Sequence, residues 1–262
     1  GPLPPEAGAD TAVLSLKSGG VTLSGVIVKN PSPDYLIMFY GNGNSVYEIR
    51  ERLYYLSSSY GLNVICFDYR GYGQSGGKPT FDGLIEDADA VFSYVKKTYS
   101  PKRLFIFSQS IGTVPCAYLG SREKLDGIIM EAPFTSAKDA VPRLNERAAF
   151  PPIRWLVRLT ADEKLLNRKP QPIDYARSFS APLLVLHGTE DEVFPQDIGK
   201  RLFGAAGSKD KFFVSLPGTG HSNVNISSGP AKEALDAFFA KYGGSKKKAI
   251  ISVFTAGLLC YD

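Results

Sequence analysis

Phe105-Ile106-Phe107-Ser108-Gln109-Ser110-Ile111-Gly112 decides how this chain is read. The apolar run from Arg103 to Phe107 has the length and composition of a buried strand, and Thr113 to Leu119 reads as a helix. Between them stands Ser110, with small residues two places before it (Ser108) and two places after it (Gly112). A serine on so sharp a strand-to-helix turn is lifted above the sheet edge with a helix N-terminus behind it. Bulky side chains at the two flanking positions would collide with the neighbouring backbone. The stretch departs from the usual G-x-S-x-G in one place, Ser108 for the first glycine, and serine is still small. Pro115 falls early in the predicted helix, where its missing N–H removes no intrahelical bond. A serine-rich turn without chemistry has the same local pattern, so the surrounding chain must decide between the two.

Upstream, Ala12 to Leu16 and Val21 to Lys29 read as antiparallel strands joined at Lys17-Ser18-Gly19-Gly20. Tyr35 to Tyr40 is a buried strand running into Gly41-Asn42-Gly43-Asn44. Val46, Ile49, Leu53 and Leu56 share one helical face in 45–60, and Asn63 to Tyr69 is the next strand. A helix is predicted from about Phe81 to Thr98. Downstream of the serine, Gly127 to Met130, Pro182 to His187 and Lys211 to Leu216 are further strands, and Ala231 to Tyr242 is a closing helix. Buried strands alternating with helices predict an α/β protein, a mostly parallel sheet covered on both faces. Residues 135–180 break the rhythm: they are rich in proline and basic residues, hold the only tryptophan, Trp155, and read as a short helical lid insertion. Residues 1–10, beginning Gly-Pro-Leu-Pro-Pro, read as a flexible lead-in; 11–242 form the domain, and 243–262 a linker and tail.

In such a sheet the active site lies beyond the carboxyl ends of the strands, where Asn42, Ser110, Asp191 and His221 all fall. A serine hydroxyl needs a base, and imidazole titrates near neutrality. The chain has two histidines. His187 ends a core strand inside Leu-His-Gly-Thr-Glu-Asp and reads as structural; His221 follows Pro-Gly-Thr-Gly, a loop able to carry it over the sheet edge. The anion that orients the imidazole is then Asp191, with Glu190 and Glu192 as neighbouring alternatives in the same turn. For the oxyanion, the backbone N–H groups of Ile111 and Asn42 are the candidates; glycines on both sides of Asn42 allow close approach.

The order Ser110, Asp191, His221 is that of an α/β-hydrolase. The chain resembles that superfamily, in particular its Bem46-like and depalmitoylase-type abhydrolase branch. The matching residues are Tyr40-Gly41-Asn42-Gly43-Asn44, Asp68-Tyr69-Arg70-Gly71-Tyr72-Gly73-Gln74-Ser75-Gly76, Ser108-Gln109-Ser110-Ile111-Gly112, Glu131-Ala132-Pro133-Phe134-Thr135-Ser136, His187 to Pro195, and Gly220-His221. Tyr40 stands where the branch usually has histidine. The resemblance implies hydrolysis of an ester or thioester through a serine acyl-enzyme, with no metal or cofactor. The acyl group and leaving group stay open. So do two rivals: a peptidase or amidase using the same triad, and a non-catalytic scaffold binding a lipid or protein.

Other classes are disfavoured. The glycine-rich loop 71–77 lacks G-x-x-x-x-G-K-[ST], so it is not a phosphate cradle. The formal charge is +4, of which Lys246-Lys247-Lys248 supplies most, so the body is near neutral and no nucleic-acid partner is expected. Cys66, Cys116 and Cys260 are too few and scattered for a disulfide framework or metal site. The apolar stretch Ala249 to Cys260 is too short to span a bilayer. Beside the lysines it suits a membrane surface, or packing on the body, in the substrate groove or on a partner. The compartment, cytoplasmic or cell-envelope, is left undecided.

Overall fold

The computed structural model describes residues 10–147 and 163–244. Gly19 and Gly20, with φ of 49° and 79°, make the left-handed turn that joins β1 (Asp10–Ser18) to β2 (Val21–Lys29). The hairpin is antiparallel, with Ser18 opposite Val21 and Asp10 opposite Lys29. β2 runs antiparallel to β4 (Asn63–Phe67). From there the pairing is parallel through β3 (Asp34–Phe39), β5 (Arg103–Gln109), β6 (Gly127–Glu131), β7 (Leu183–Gly188) and β8 (Lys211–Leu216). The spatial order is β1-β2-β4-β3-β5-β6-β7-β8. Every residue of β4, β6 and β7 is buried, as expected for parallel strands covered on both faces.

Strand alternation shows how the helices are divided between the faces. On one face, Phe105 meets Phe239 of α8 (Gly229–Tyr242) with ring centroids 5.4 Å apart. Phe107, on the same face, lies beneath Arg52 of α1 (Arg50–Tyr60). The two helices meet there through Tyr60 and Phe239, 4.4 Å between centroids. Ile106 points the opposite way, in register with Ile128. Ile128 packs so closely on Gly120 of α3 (Thr113–Arg122) that a Cβ there would come within 2.8 Å of its Cδ1. On that second face α2 (Phe81–Tyr99), α3, α6 (Pro172–Ala176) and α7 (Gln196–Ala205) pack in succession.

Between β6 and β7 the described residues form α4 (Ala137–Arg147), α5 (Glu163–Asn167) and α6. The last of these lies in the helical layer, with Tyr175 edge-on to Tyr118 of α3 at 5.6 Å. Trp155 and the middle of the 135–180 insertion lie outside the described residues, as do residues 1–9 and the lysine-bearing segment after 244; Asp10, expected in the lead-in, instead begins β1.

Two local differences from the sequence expectation have physical causes. α1 begins at Arg50 rather than near residue 45, because Val46 gives its N–H to the Asp68 carboxylate at 2.7 Å and 45–49 close as a turn onto the Ser45 carbonyl. α7 has no counterpart in that expectation; it spans 10 residues, and its buried face rests on Ile198 and Leu202, too few positions to declare a period. At the far end of the molecule, Gly244 donates its N–H to Asp34 Oδ2 at 3.1 Å, beside the Arg103–Asp34 ion pair. Asp34 and Arg103 begin β3 and β5, so this contact lies at the amino ends of the parallel strands.

Candidate active site

β5 ends at Gln109 and α3 begins at Thr113, leaving a single 3₁₀ turn, 110–112, in which the chain must reverse its course. Ser110 takes the strain, with φ of 50°, in the left-handed region that side-chain-bearing residues rarely occupy. Gly112 is needed for space, since its φ of −59° suits any residue. A Cβ there would come within 2.3 Å of the Phe39 carbonyl oxygen. That closeness lets the end of β3 lie against the elbow. Gly112→Ala should therefore destabilise the fold by about 1–3 kcal/mol, read as a lower denaturant midpoint, because the atom in the way is backbone and cannot swing aside. Ser108, where glycine is usual, is fully buried, and its hydroxyl reaches the Ile129 carbonyl at 3.4 Å.

Three of the residues singled out from the sequence meet above the strand ends. His221 Nε2 lies 2.9 Å from Ser110 Oγ. His221 Nδ1 lies 2.9 Å from Asp191 Oδ2 and 3.0 Å from Oδ1. Asp191 follows β7 and is held from both sides: Oδ1 accepts the N–H groups of Val193 and Phe194 at 2.9 and 2.8 Å. Burial alone would raise the Asp191 pKa. Hydrogen bonds from His187 and His221, the His221 charge and the Phe194 amide outweigh it and hold the carboxyl well below the usual carboxylate range.

The two neighbouring acids and the second histidine have separate places: Glu190 is exposed, and its backbone N–H donates to the Thr219 carbonyl at 3.0 Å. Glu192 accepts the backbone N–H of His221 at 3.1 Å, so it braces the histidine loop rather than the imidazole. His187 is fully buried in β7, with Nε2 2.7 Å from the Phe194 carbonyl oxygen and 3.3 Å from Asp191 Oδ2. It supports the acid and does not reach the serine's partner side of the site.

Asn42 stands beyond β3 on a loop organised by Asp68, a buried carboxylate whose role the sequence did not disclose. Asp68 Oδ1 accepts from Val46 N–H and from the Tyr40 hydroxyl at 3.0 Å, and Oδ2 accepts from Gln74 N–H at 3.0 Å. Gly73 must be glycine to leave room for it, as a Cβ there would fall 2.0 Å from Oδ2. Tyr40 thus takes the place of the usual histidine as a buried hydroxyl tying two loops together. Burial, and after it Cys66, Asp68 and Tyr69, push its pKa far up, so it stays neutral. Tyr72 gives its hydroxyl to Asn42 Oδ1 at 2.5 Å, which fixes the side chain of the residue whose N–H is the oxyanion candidate. Ile111, the other candidate, directly follows Ser110 in the turn.

Neither described cysteine is a nucleophile. Burial pushes the Cys116 thiol up to about 12, and that of Cys66 well above its ordinary value. Among the described residues no group of His, Cys, Asp or Glu is placed to hold a metal ion, and no helix is long and apolar enough to cross a membrane.

Known proteins resemble this chain in sequence and in fold. The family profile described as serine aminopeptidase, S33, matches residues 34–173. Alpha/beta hydrolase domain-containing protein 17B of Xenopus laevis is 31% identical over 214 residues, covering 80% of this chain and 68% of that protein. Its Homo sapiens counterpart is 30% identical over 200 residues, covering 75% of this chain and 64% of the relative. The chain therefore spans about two thirds of the length of these relatives. Among solved structures, the Pyrococcus furiosus esterase Pf2001 superposes with a TM-score of 0.73 at 20% identity, covering 90% of this chain and 94% of that one. The sheet order and these matches agree: the chain belongs to the α/β-hydrolase family.

Proposed function

We propose that the chain cleaves carboxylic esters or thioesters of small-molecule or lipid acyl substrates, with Ser110 as nucleophile, His221 as base and then acid, and Asp191 as the residue that orients the imidazole. The observation carrying this reading is the continuous chain Asp191–His221–Ser110, with 2.9 Å at each link. Asp191 accepts the Nδ1 proton and so leaves Nε2 with its lone pair toward the serine. Ser110 Oγ attacks the acyl carbon as its proton passes to Nε2. The negative charge on the carbonyl oxygen is received by the N–H groups of Ile111 and Asn42. The imidazolium then protonates the departing alkoxide or thiolate, leaving an acyl-enzyme, and the same base activates a water to release the acid.

The acceptor geometry alone serves an amide as well as an ester. The serine aminopeptidase name of the matching profile favours keeping that second reading in view. Esters and thioesters carry the better leaving group and ask less of the imidazolium as acid. Initial rates on p-nitrophenyl esters from acetyl to palmitoyl, against aminoacyl p-nitroanilides, should show serine-dependent turnover of esters with a preferred chain length. Turnover confined to the anilides would replace this reading with the peptidase one.

The 135–180 insertion is part of the proposal as cover for the acyl pocket. The 246–260 segment is part of it as a contact for an anionic membrane surface, on the basis of its lysines beside an apolar stretch.

A further inference from the structure

We infer that the buried ion pair Arg52–Glu131 is a positioning device that holds the serine turn and the histidine loop in register; this rests on the triad reading above. Glu131 is the last residue of β6, and its side chain has no exposed surface. Arg52, from α1, approaches it at 2.5 Å with a side chain only 16% exposed. The pair is connected in two directions. Glu131 Oε1 accepts from Gln109 Nε2 at 2.7 Å, and Gln109 is the residue immediately before Ser110. Arg52 Nη2 donates to the Val224 carbonyl at 3.1 Å, on the loop between β8 and α8 that carries His221. Gln109 also lies against the oxyanion loop, since a Cβ at Gly41 would come 3.1 Å from its Oε1. One guanidinium and one carboxylate therefore touch the supports of the nucleophile and the base, and through Gln109 they abut the oxyanion loop.

The physical chemistry favours positioning over stability as their use. Desolvating two charges costs about as much as their attraction returns, and an apolar pair of matching volume is often as stable or more so. An apolar pair has no direction, however. The planar guanidinium offers donors in a fixed fork, and here the fork serves a carboxylate and a carbonyl on different elements at once, with its plane near the Phe107 ring at 5.8 Å. The elbow and the histidine loop belong to β5 and to the segment after β8, which are not neighbours in the sheet, so no strand ladder ties one to the other.

The test separates stability from positioning in the full chain. The variants are Arg52→Met, the double variant Arg52→Met/Glu131→Met, and Arg52→Lys, which keeps the charge and the fold but loses the fork. Each is followed by thermal midpoint, by kcat and KM on p-nitrophenyl butyrate, and by the rate at which a fluorophosphonate labels Ser110. Arg52→Met should lose both midpoint and rate, because it strands a buried carboxylate. The double variant should regain the midpoint while labelling and kcat stay down roughly 10- to 100-fold, with KM little changed. Arg52→Lys should keep the midpoint and lose rate in the same sense. Wild-type labelling in Arg52→Lys, or in a double variant of recovered midpoint, would overturn the inference. A wild-type protein labelled no faster than Ser110→Ala would instead overturn the triad reading beneath it.

Discussion

Ser110→Ala should lower turnover of the preferred p-nitrophenyl ester by roughly 10⁶-fold, leaving only the modest acceleration that an oxyanion site and binding supply alone. The loss is expected to be complete in this sense because no other described side chain stands ready: both described cysteines are held protonated by burial, and His221 has its Nε2 turned to Ser110 Oγ. The fold should survive. Alanine keeps the Cβ, so it neither adds to nor relieves the left-handed backbone at φ 50°, and the deleted oxygen faces the site rather than the core. The denaturant midpoint should therefore move by no more than about 0.5 kcal/mol in stability. A variant that folds and still turns over the ester at the wild-type rate would place the nucleophile elsewhere.

Asp191→Asn should cost about 10⁴-fold in kcat, through the tautomer of a neighbouring residue. The Val193 and Phe194 amides claim an acceptor at this position, which sets the asparagine oxygen toward them. The NH₂ group then takes the Oδ2 position 2.9 Å from His221 Nδ1 and offers a donor where the carboxylate accepted, which favours the tautomer with Nδ1 as acceptor. The imidazole proton moves to Nε2, where it points at the hydroxyl it is meant to deprotonate. The same substitution has a signature in stability. The folded protein holds the Asp191 carboxyl well below its ordinary pKa, so the native state binds fewer protons there than the unfolded chain does. The stabilisation it contributes is present above the unfolded value of about 3.9 and is lost as pH falls from there toward the folded value. Denaturant midpoints of wild type and variant should accordingly differ more at about pH 7 than at about pH 3. A gap that stays constant with pH would mean that the carboxylate is not held as charged as its neighbours imply.

The grouping of the candidate residues was largely legible in the sequence, because its parts announce themselves locally. Ser110 carries small neighbours on both sides, and with only two histidines the choice of a candidate base was between His187 and His221. The strand ends fell where apolar runs met glycine, which placed Asn42, Asp191 and His221 at the same edge of the sheet as the serine. The supports were not legible. Asp68 works through the backbone of Val46 and Gln74, 22 positions before it and 6 after it, and a carboxylate accepting main-chain N–H groups leaves no trace in residue spacing. Arg52 and Glu131 are separated by 79 positions and meet only because the fold brings the Arg52 side chain of α1 to the last residue of β6. α7 escaped for a related reason: a short helix needs only two deep contacts, Ile198 and Leu202, and tertiary packing rather than a run of apolar residues decides that it forms.

The hydrogen bond from Gly244 to Asp34 has a practical consequence. It anchors the close of α8 at the foot of β3, while the serine stands at the head of β5. A linker attached in place of the residues after 244 would therefore leave from the underside of the enzyme. Protein coupled to a bead or surface through that linker would keep its Ser110 face turned outward to the surrounding solution, whereas coupling through Tyr47, exposed on the turn that follows the Gly41–Asn44 loop, would press that face against the support.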